Sequence, residues 1–538
     1  MSITDTGSRL TNGIYDRTLQ ADVLVIGGSI AGAWAALSAR LAGASVVLAE
    51  KGWVGTAGVV AANGGGGHYI LPGDPKQRAG VLGARYPETE GLANIPFLEE
   101  VLQESYRCFT RLAEWGYGNG SICSNQNANS MAFLRKKLVE HKVKILDHSP
   151  AIELLLTDDG VAAGAAGVSR KTDETWAVRA GAVIIATGGT AFLSGAMGTN
   201  GVTGDGYLIA AEAGVDMIGM EFSGHYGLAP LNGNSTKGGM FFQGHIFDEN
   251  GERLDPLPSW FAVPNVAKAL IEGRRVYTVL DKAKPENWDN VIRNVPNFYQ
   301  YFVRQDKNPF DTLWPTGLTY EGTVRASGGL AVGNGCSTSV PGLFAAGDVT
   351  DRTKLTGAFL SGAGPAIAWC VASGEWSGRS AAAFSQEVGE TKHARTARPA
   401  GRAGVRPQHH AQLGAREVIK TAQDEVLPLE KNYFRNGPAI QASLDTLNSA
   451  WDGVCEGLSG GTAREVLKSR EAASLVAAGR WIYSAAHERK ETRGLHRRSD
   501  YPERDDSQRH NLRVGGLDKV SVSVLDVPLS LPPVEVVV

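Results

Sequence analysis

A glycine-rich turn near the start of the chain has the composition and spacing of a dinucleotide-binding site. The turn runs Gly27-Gly28-Ser29-Ile30-Ala31-Gly32, and the acid Glu50 follows about twenty residues later. Glycines in such a turn let a diphosphate approach backbone N–H groups at a helix N-terminus, where the helix dipole favours negative charge. A carboxylate at this spacing accepts hydrogen bonds from ribose hydroxyls. Because Ser29 replaces the middle glycine, an ordinary βαβ unit with a solvated Glu50 is the alternative.

Three elements must position this turn. Residues 22–26 are apolar and rich in β-branched side chains, which predicts a buried parallel strand. Residues 33–42 are rich in alanine and leucine and predict a helix, and residues 45–49 predict a second strand that ends at Glu50. This order of strand, turn, helix and strand favours the dinucleotide interpretation over a chance glycine match.

The rest of the chain shows further α/β patterning. Predicted helices lie at 97–116, 129–141 and 207–214, and predicted strands at 143–146, 151–157, 182–186 and within 340–349. Residues 385–412 lack periodicity and aromatic residues, which predicts a linker rather than a nucleic-acid patch. Residues 413–490 are helical in pattern. Residues 520–538 predict a strand-like arm that lies on this chain or on a partner.

Composition excludes several classes of protein. The 538 residues predict two or three domains, and the net charge of −3 gives no field that favours nucleic acid or anionic lipid. We expect no secretory signal in the polar start and no span of a bilayer. The five cysteines form no CxxC pair, so we expect no iron–sulfur, haem or zinc site on this chain. Reduced thiols of a cytoplasmic protein are the simplest interpretation.

Separate motifs along the chain resemble the flavoprotein subunits of the fumarate reductase and succinate dehydrogenase family, which includes L-aspartate oxidase. They are Gly58–Gly65, Ala186–Gly189, Thr203–Gly206, Met220–Phe222, Ala346–Asp348, and Arg489–Arg498 followed by Asp500–Asp506. The last match is long and hard to obtain by chance. Residues 326–329 and 354–358 look most similar to the adenylylsulfate reductase α subunit.

The resemblance implies FAD as cofactor, with Asp348 on a ribityl hydroxyl and a helix that opens near Thr356 directed at the flavin. The implied cofactor-binding residues are Gly27, Ser29, Ile30, Ala31, Gly32, Glu50, Lys51, Gly58, Ala62, Asn63, Gly64, Ala186, Thr187, Gly188, Asp205, Gly347, Asp348, Ala358 and Ser361. For Asp348, a turn-forming residue after a strand is the alternative.

The implied fold is α/β, with a Rossmann-like FAD-binding domain, an inserted α+β capping domain and a C-terminal helical domain. We expect the FAD-binding domain at 1–222 and 322–384, the capping domain at 223–321, the linker at 385–412, the helical domain at 413–510 and an extended tail at 511–538.

Several positions depart from the succinate and fumarate enzymes of the family. Val324 stands where the resemblance places a histidine, and Lys354 where it places an arginine. The proton-shuttle element is reduced to Thr236-Lys237-Gly238-Gly239. These departures predict a reaction other than ordinary succinate oxidation or fumarate reduction. Gly58 replaces the histidine that binds flavin covalently in succinate dehydrogenase, so we expect non-covalent FAD.

The remaining candidates for chemistry are His225, Tyr226, Lys237, His245, Arg325 and Lys354. Cations beside a flavin bind an anionic substrate and stabilise developing negative charge, and a histidine there moves a proton near neutral pH. The resemblance places Arg325 and Lys354 near the flavin. For three of the other candidates a role outside the chemistry is the alternative: a hinge hydrogen bond for His225, a structural role for His245, and a position in a solvated loop for Lys237.

The sequence therefore predicts an FAD-dependent oxidoreductase that acts on a small anionic substrate by hydride transfer or adduct formation at flavin N5. One alternative is an adenylylsulfate-reductase-like subunit that works with a separate iron–sulfur or ferredoxin-like subunit. Another is a catalytically silent, flavin-bearing scaffold or electron-transfer subunit. We expect no metal site, no nucleic-acid partner and no membrane span; a homo-oligomer is left open.

Overall fold

The computed structural model describes residues 5–85, 89–236, 238–255, 262–359, 364–408 and 413–526. The strands are β1 (Arg17–Ile26), β2 (Val46–Ala49), β3 (Gly65–Gly66), β4 (Asn125–Gln126), β5 (Lys144–Leu146), β6 (Ala151–Leu156), β7 (Ala162–Val168), β8 (Thr175–Ile185), β9 (Met217–Ile218), β10 (Tyr226–Pro230), β11 (His245–Asp248), β12 (Val276–Val279), β13 (Trp314–Tyr320), β14 (Gly329–Leu330), β15 (Leu343–Ala345), β16 (Arg398–Pro399), β17 (His510–Gly515) and β18 (Ser521–Asp526). The helices are α1 (Thr6–Thr11), α2 (Ile30–Leu41), α3 (Val59–Asn63), α4 (Pro75–Arg85), α5 (Ile95–Glu114), α6 (Ala128–Glu140), α7 (Asp205–Glu212), α8 (Gly238–Phe241), α9 (Val263–Ile271), α10 (Trp288–Asn294), α11 (Pro296–Val303), α12 (Thr353–Thr356), α13 (Gly364–Val388), α14 (Ala415–Val426), α15 (Leu429–Asn432), α16 (Gly437–Gly457) and α17 (Ala463–Glu488).

The largest sheet has the order β16-β6-β7-β8-β1-β2-β5, and β15 also pairs with β8. Strand β1 runs parallel to both β2 and β8, and α2 connects β1 to β2, as the sequence pattern predicted. Helix α2 is buried on nearly all sides, and α13 packs against it. The antiparallel strand β7 was not predicted, because its alanines and glycines carry no β-branched or alternating signal.

A second, antiparallel sheet with the order β10-β13-β12-β11 forms the inserted part of the chain. Helices α8 to α11 accompany it, and aromatic side chains such as Phe241, Phe298 and Trp314 fill its core with edge-to-face contacts. The predicted combination of a Rossmann-like domain with an α+β insertion is confirmed.

The C-terminal part is helical, as predicted, and is built on α14, α16 and α17. Helix α17 begins with a capping box between Thr462 and Glu465, in which each side chain accepts from the other residue's backbone N–H. Tyrosine and tryptophan side chains from these helices join the same hydrophobic core as β8 and α7. None of the described helices combines the length and apolar composition that crossing a bilayer requires.

Two segments are more ordered than the linker and tail that the sequence predicted. Helix α13 continues to Val388, and Arg398–Pro399 then adds an edge strand to β6. Residues 510–526 form a hairpin in which β17 pairs with β18 and also with β9 of the FAD-binding part. This segment therefore lies on its own chain, and residues 527–538 lie outside the described residues. Pairings to strands so distant in sequence leave no local signal.

The long C-terminal motif encloses a buried charge cluster. The carboxylate of Glu491 accepts from Arg489 at 2.8 Å and from Arg493 at 2.7 and 3.0 Å, and all three side chains are buried. Arg489 also pairs with Glu221 at 2.9 Å, in the segment that follows β9. Because buried charges are costly unless paired, this cluster fixes how the C-terminal segment docks.

We predict that Glu491→Ala destabilises the protein by about 3–5 kcal/mol, because it leaves one side of Arg489 without a carboxylate and buried Arg493 with only the exposed Asp506, 3.8 Å away. The free energy of unfolding from urea titrations checks this value. Asp518→Ala is the matched control, since it breaks the Arg402–Asp518 pair, whose side chains are 61% and 68% exposed. The control should lose no more than about 1 kcal/mol. Equal losses in the two variants would contradict the role of the cluster.

Candidate active site

A cleft of about 260 Å³ opens at the carboxyl ends of β1, β2 and β8. In open α/β sheets this edge is where ligands bind. The structure brings together on its walls twelve of the residues that the sequence analysis singled out for the cofactor. They are Gly27, Ser29, Ile30, Ala31, Glu50, Lys51, Gly58, Ala186, Thr187, Gly188, Asp205 and Asp348.

The glycine turn of the cleft tolerates no side chains at two of its positions. Gly27 has a φ of +102°, and a Cβ there would lie 2.4 Å from the carbonyl oxygen of Ala186. A Cβ on Gly32 would lie 1.8 Å from the carbonyl oxygen of Gly27. Gly32 is not on the cleft wall. Its lack of a side chain lets the first turn of α2 pack directly against the glycine turn.

Glu50 holds the same turn from the end of β2. Its carboxylate is 8% exposed and accepts from the backbone N–H of Gly28 and of Gly52, each at 2.6 Å. An ionised carboxylate offers about four acceptor sites, so two remain for ribose hydroxyls. The ribose contact itself stays a prediction.

Lys51 lies in an ion-pair cluster at one wall of the cleft. Its ammonium donates to Asp205 at 2.8 Å, to Glu471 at 3.1 Å and to Thr203 at 2.8 Å. Burial alone would lower the pKa of Lys51, but the charges of Asp205 and Glu471 outweigh it and raise the pKa. Since Glu471 belongs to α17, this cluster joins the cleft to the helical domain.

Polar atoms on and beside the cleft fit a bound dinucleotide such as FAD. The hydroxyl of Thr187 is buried and has no hydrogen-bond partner among the described residues. The side chain of Ser29 leaves the first turn of α2 uncapped, so backbone N–H groups there suit a diphosphate. These unmet donors, with the glycine turn, form the cradle that the cofactor would occupy.

The other described residues assigned to the cofactor are not on the walls of the cleft. Ala62, Asn63 and Gly64 belong to or follow α3, and the Asn63 amide donates to the carbonyl of Met197 at 2.6 Å. Gly347 has a φ of +76°, where a Cβ would meet Ala31 at 2.6 Å. Ala358 is buried, and Ser361 lies outside the described residues.

A second cluster surrounds the buried carboxylate of Glu321, directly after β13. The Glu321 side chain is 2% exposed and accepts from the hydroxyl of Thr236 at 2.7 Å. Arg325 Nε and His225 Nε2 each lie 3.6 Å from its oxygens. Burial would raise the pKa of Glu321, but the charge of Arg325, with His225 and Thr236, lowers it. Glu321 is therefore ionised at neutral pH.

Buried Arg352 links this cluster to the cleft. Its guanidinium pairs with Asp348 on the cleft wall and donates to the carbonyls of Thr323, at 2.7 Å, and of Ala326. These carbonyls flank Arg325 on the 3₁₀ turn Gly322–Arg325. One side chain thus holds the turn that carries Arg325 against the cleft.

Neither Tyr226 nor Lys354, both predicted catalytic residues, lines the cleft. Tyr226 is buried against Tyr320 and Tyr433, and its hydroxyl donates to the carbonyls of Val426 and Leu427, which is a packing role. Lys354 is exposed on α12. Lys237 lies outside the described residues.

His245, the remaining candidate, lies on the edge strand β11 of the inserted sheet. Its Nδ1 is 2.8 Å from Asp281, which agrees with the structural alternative.

Sequence reasoning missed Glu321 and Arg352. Glu321 meets His225 only because the inserted sheet pairs Tyr226 with Tyr320, which places the backbone N–H of Glu321 on the carbonyl of His225 at 3.0 Å. Arg352 stands in an acid- and base-rich run with no distinguishing spacing. No local pattern in the sequence could have found either residue.

Comparison with family models assigns both ends of the chain. The model described as "Fumarate reductase flavoprotein C-term" matches residues 430–533, and the model described as "Pyridine nucleotide-disulphide oxidoreductase" matches residues 21–214. The L-aspartate oxidase of Mycobacterium leprae is 26% identical over 531 residues, which cover 90% of this chain and 93% of that protein.

Solved structures share the whole fold. A mutant of E. coli quinol fumarate reductase superposes with a TM-score of 0.80 at 20% identity, covering 96% of this chain and 99% of that one. Adenylylsulfate reductase from Archaeoglobus fulgidus superposes with a TM-score of 0.77 at 17% identity, covering 97% and 98%. At these identities the matches establish the architecture.

We predict that Gly32→Ala lowers the FAD content of the purified protein at least about tenfold, because the new methyl group collides with the turn that cradles the diphosphate. The ratio of flavin to protein absorbance measures this. Gly80→Ala, on the open face of α4 with no atom within 4 Å of its Cβ, is the control and should keep full FAD content. Unchanged FAD in Gly32→Ala would remove the turn from the binding site.

We also predict that acid precipitation releases the flavin into the supernatant. Gly58 lines the cleft without a side chain to form a bond, and a Cβ there would lie 2.5 Å from the hydroxyl of Ser29. Absorbance spectra of supernatant and pellet decide the matter. Colour that stays in the pellet would show a covalent bond from another residue.

Proposed function

The chain belongs to the fumarate reductase and aspartate oxidase family of FAD-dependent oxidoreductases, as its motifs predicted, and on this premise we propose that it acts on a small anionic substrate bound at Arg325. The observation that carries the proposal is the cluster of Arg325, His225 and Glu321 beside the cofactor cleft. Its residues differ from those of the succinate and fumarate enzymes, so the substrate need not be the same.

Arg325 supports an anion-binding role by its placement. Its side chain is 19% exposed, and its Nε is buried without a hydrogen-bond acceptor among the described residues. A guanidinium with unused N–H groups offers a carboxylate or similar anion paired, charge-assisted hydrogen bonds. Arg352 keeps the turn in place through backbone carbonyls, so little ordering is required on binding.

His225 is the proposed proton carrier of the site. Its side chain is partly exposed, and its Nε2 faces the ionised carboxylate of Glu321 at 3.6 Å. Imidazole exchanges protons near neutral pH, and a neighbouring carboxylate sets the ring's orientation. Distances of this kind often shorten when substrate binds.

FAD, when bound, supplies a ring system that accepts or gives two electrons. We propose that the glycine turn, Glu50, Thr187 and Asp348 hold it without a covalent bond. The inserted sheet carries His225 directly before β10 and Glu321 directly after β13, where Thr236 donates to Glu321, and the sheet would keep water from the reacting groups.

An alternative function is that of an adenylylsulfate-reductase-like subunit that passes electrons to a separate iron–sulfur or ferredoxin-like subunit. The full-length structural similarity to adenylylsulfate reductase favours it. The described residues hold no group of three or more His, Cys, Asp or Glu side chains that could bind a metal, so this route requires a partner. The five free cysteines suit the reducing cytoplasm, which we propose as the location.

We predict that Arg325→Gln weakens the binding of small carboxylates to the FAD-loaded protein by roughly 10–100-fold, because it removes charge-assisted hydrogen bonds. Perturbation of the flavin spectrum during anaerobic titration measures the dissociation constant, and loss of the oxidised bands reports turnover.

Lys268→Gln is the matched control, since this lysine is exposed on α9 of the inserted part. It should leave carboxylate binding within about twofold, because exposed charges contribute little. Equal effects in the two variants would contradict the proposed site. A flavin that no anionic ligand perturbs or reduces would favour the catalytically silent scaffold.

A further inference from the structure

Among the described residues, each arginine of the proposed anion site is paired with a carboxylate. Arg325 has Glu321 as its carboxylate partner at 3.6 Å, and Arg352 has Asp348. Each pair combines one positive and one negative charge, so together they add no net charge. A site that recognises a dianion needs an excess of positive charge, because like charges repel most strongly where water is excluded.

Glu321 cannot move its charge away from this site. Thr236 holds one oxygen at 2.7 Å, and the backbone of β10 lies against the other, so that a Cβ on Gly227 would come within 2.7 Å of it. Its own backbone N–H donates to the carbonyl of His225 at 3.0 Å. The carboxylate is thus a fixed negative charge beside the guanidinium that would bind the substrate.

The hydrogen-bonding capacity of Glu321 is only partly used by the described residues. Thr236 is its one partner within hydrogen-bond distance, whereas Arg325 and His225 stop at 3.6 Å. An ionised carboxylate accepts about four hydrogen bonds. A ligand group that donates a hydrogen bond, such as an amide, hydroxyl or ammonium, would satisfy it, and a second anionic group would not.

From this arrangement we propose that Glu321 is a specificity-determining residue, which selects substrates that carry one anionic group and, next to it, a neutral or cationic hydrogen-bond donor, and rejects dianions of the same size. The inference rests on the proposed function, since it takes Arg325 as the anion-binding group. It predicts a substrate class different from that of a plain dicarboxylate.

The test compares two ligands of the same length: succinate, which carries two carboxylates, and succinamate, which carries one carboxylate and one amide. Each is titrated into the FAD-loaded protein near neutral pH, and the flavin spectrum gives the dissociation constant. We expect wild type to bind succinamate at least about tenfold more tightly than succinate, because of repulsion from Glu321. Glu321→Gln keeps the shape of the side chain, removes its charge, and should abolish or reverse this preference.

Glu272→Gln is the matched control, because it removes one negative charge from the exposed end of α9 and should keep the wild-type ratio. Equal or tighter binding of succinate by wild type would overturn the inference without any variant, even if Glu321→Gln failed to fold. A preference that survives in Glu321→Gln would also overturn it. If neither ligand binds, or if Arg325→Gln has no effect on binding, the proposed function fails as well. If Arg325→Gln weakens binding but wild type shows no preference for succinamate over succinate, only this inference is refuted.

Discussion

The ion pair between Asp348 and Arg352 is the interaction on which both parts of the site depend. Asp348 lines the cofactor cleft, and Nη2 of Arg352 donates to the carbonyls of Thr323 and Ala326, on either side of Arg325. A fully buried guanidinium is stable only if its charge and its N–H groups are matched. Because buried Arg352 needs both Asp348 and the carbonyls of the turn as partners, it holds the candidate substrate-binding cluster at a set distance from the cleft.

Buried charge also determines how the C-terminal helices meet the rest of the chain. Lys51 pairs with Glu471 at 3.1 Å, and Arg470 pairs with Glu212 at 2.6 Å, so α17 is tied to the cleft wall and to α7. Hydrophobic contacts would allow several similar packings, whereas each buried ion pair accepts one. The helical domain is thus held against the cleft, although none of its described residues lines the cleft walls.

The fold alone does not decide the chemistry of the site. The fold superposes on quinol fumarate reductase with a TM-score of 0.80 at 20% identity, whereas Val324 and Gly58 stand where the resemblance implied histidines. Layers of packed secondary structure tolerate many substitutions that keep volume and pattern, whereas chemistry depends on a few polar groups. The similarity to FAD-dependent oxidoreductases therefore indicates the type of chemistry, whereas we propose that the local charges around Arg325 decide the substrate.

Much of the architecture was readable from the sequence, because its signals are local. The apolar strand, glycine turn and helix at 22–42 appear as β1 and α2, and the motifs at both ends of the chain named the family. The candidate cluster was only half readable. His225 and Tyr226 are neighbours, but adjacent positions in extended chain point to opposite sides, so one meets Glu321 and the other the helical domain. The contact of His225 with Glu321, and that of Tyr226 with the helical domain, depend on the pairing of β10 with β13. These strands are about ninety residues apart in the chain, and only the folded sheet decides their register.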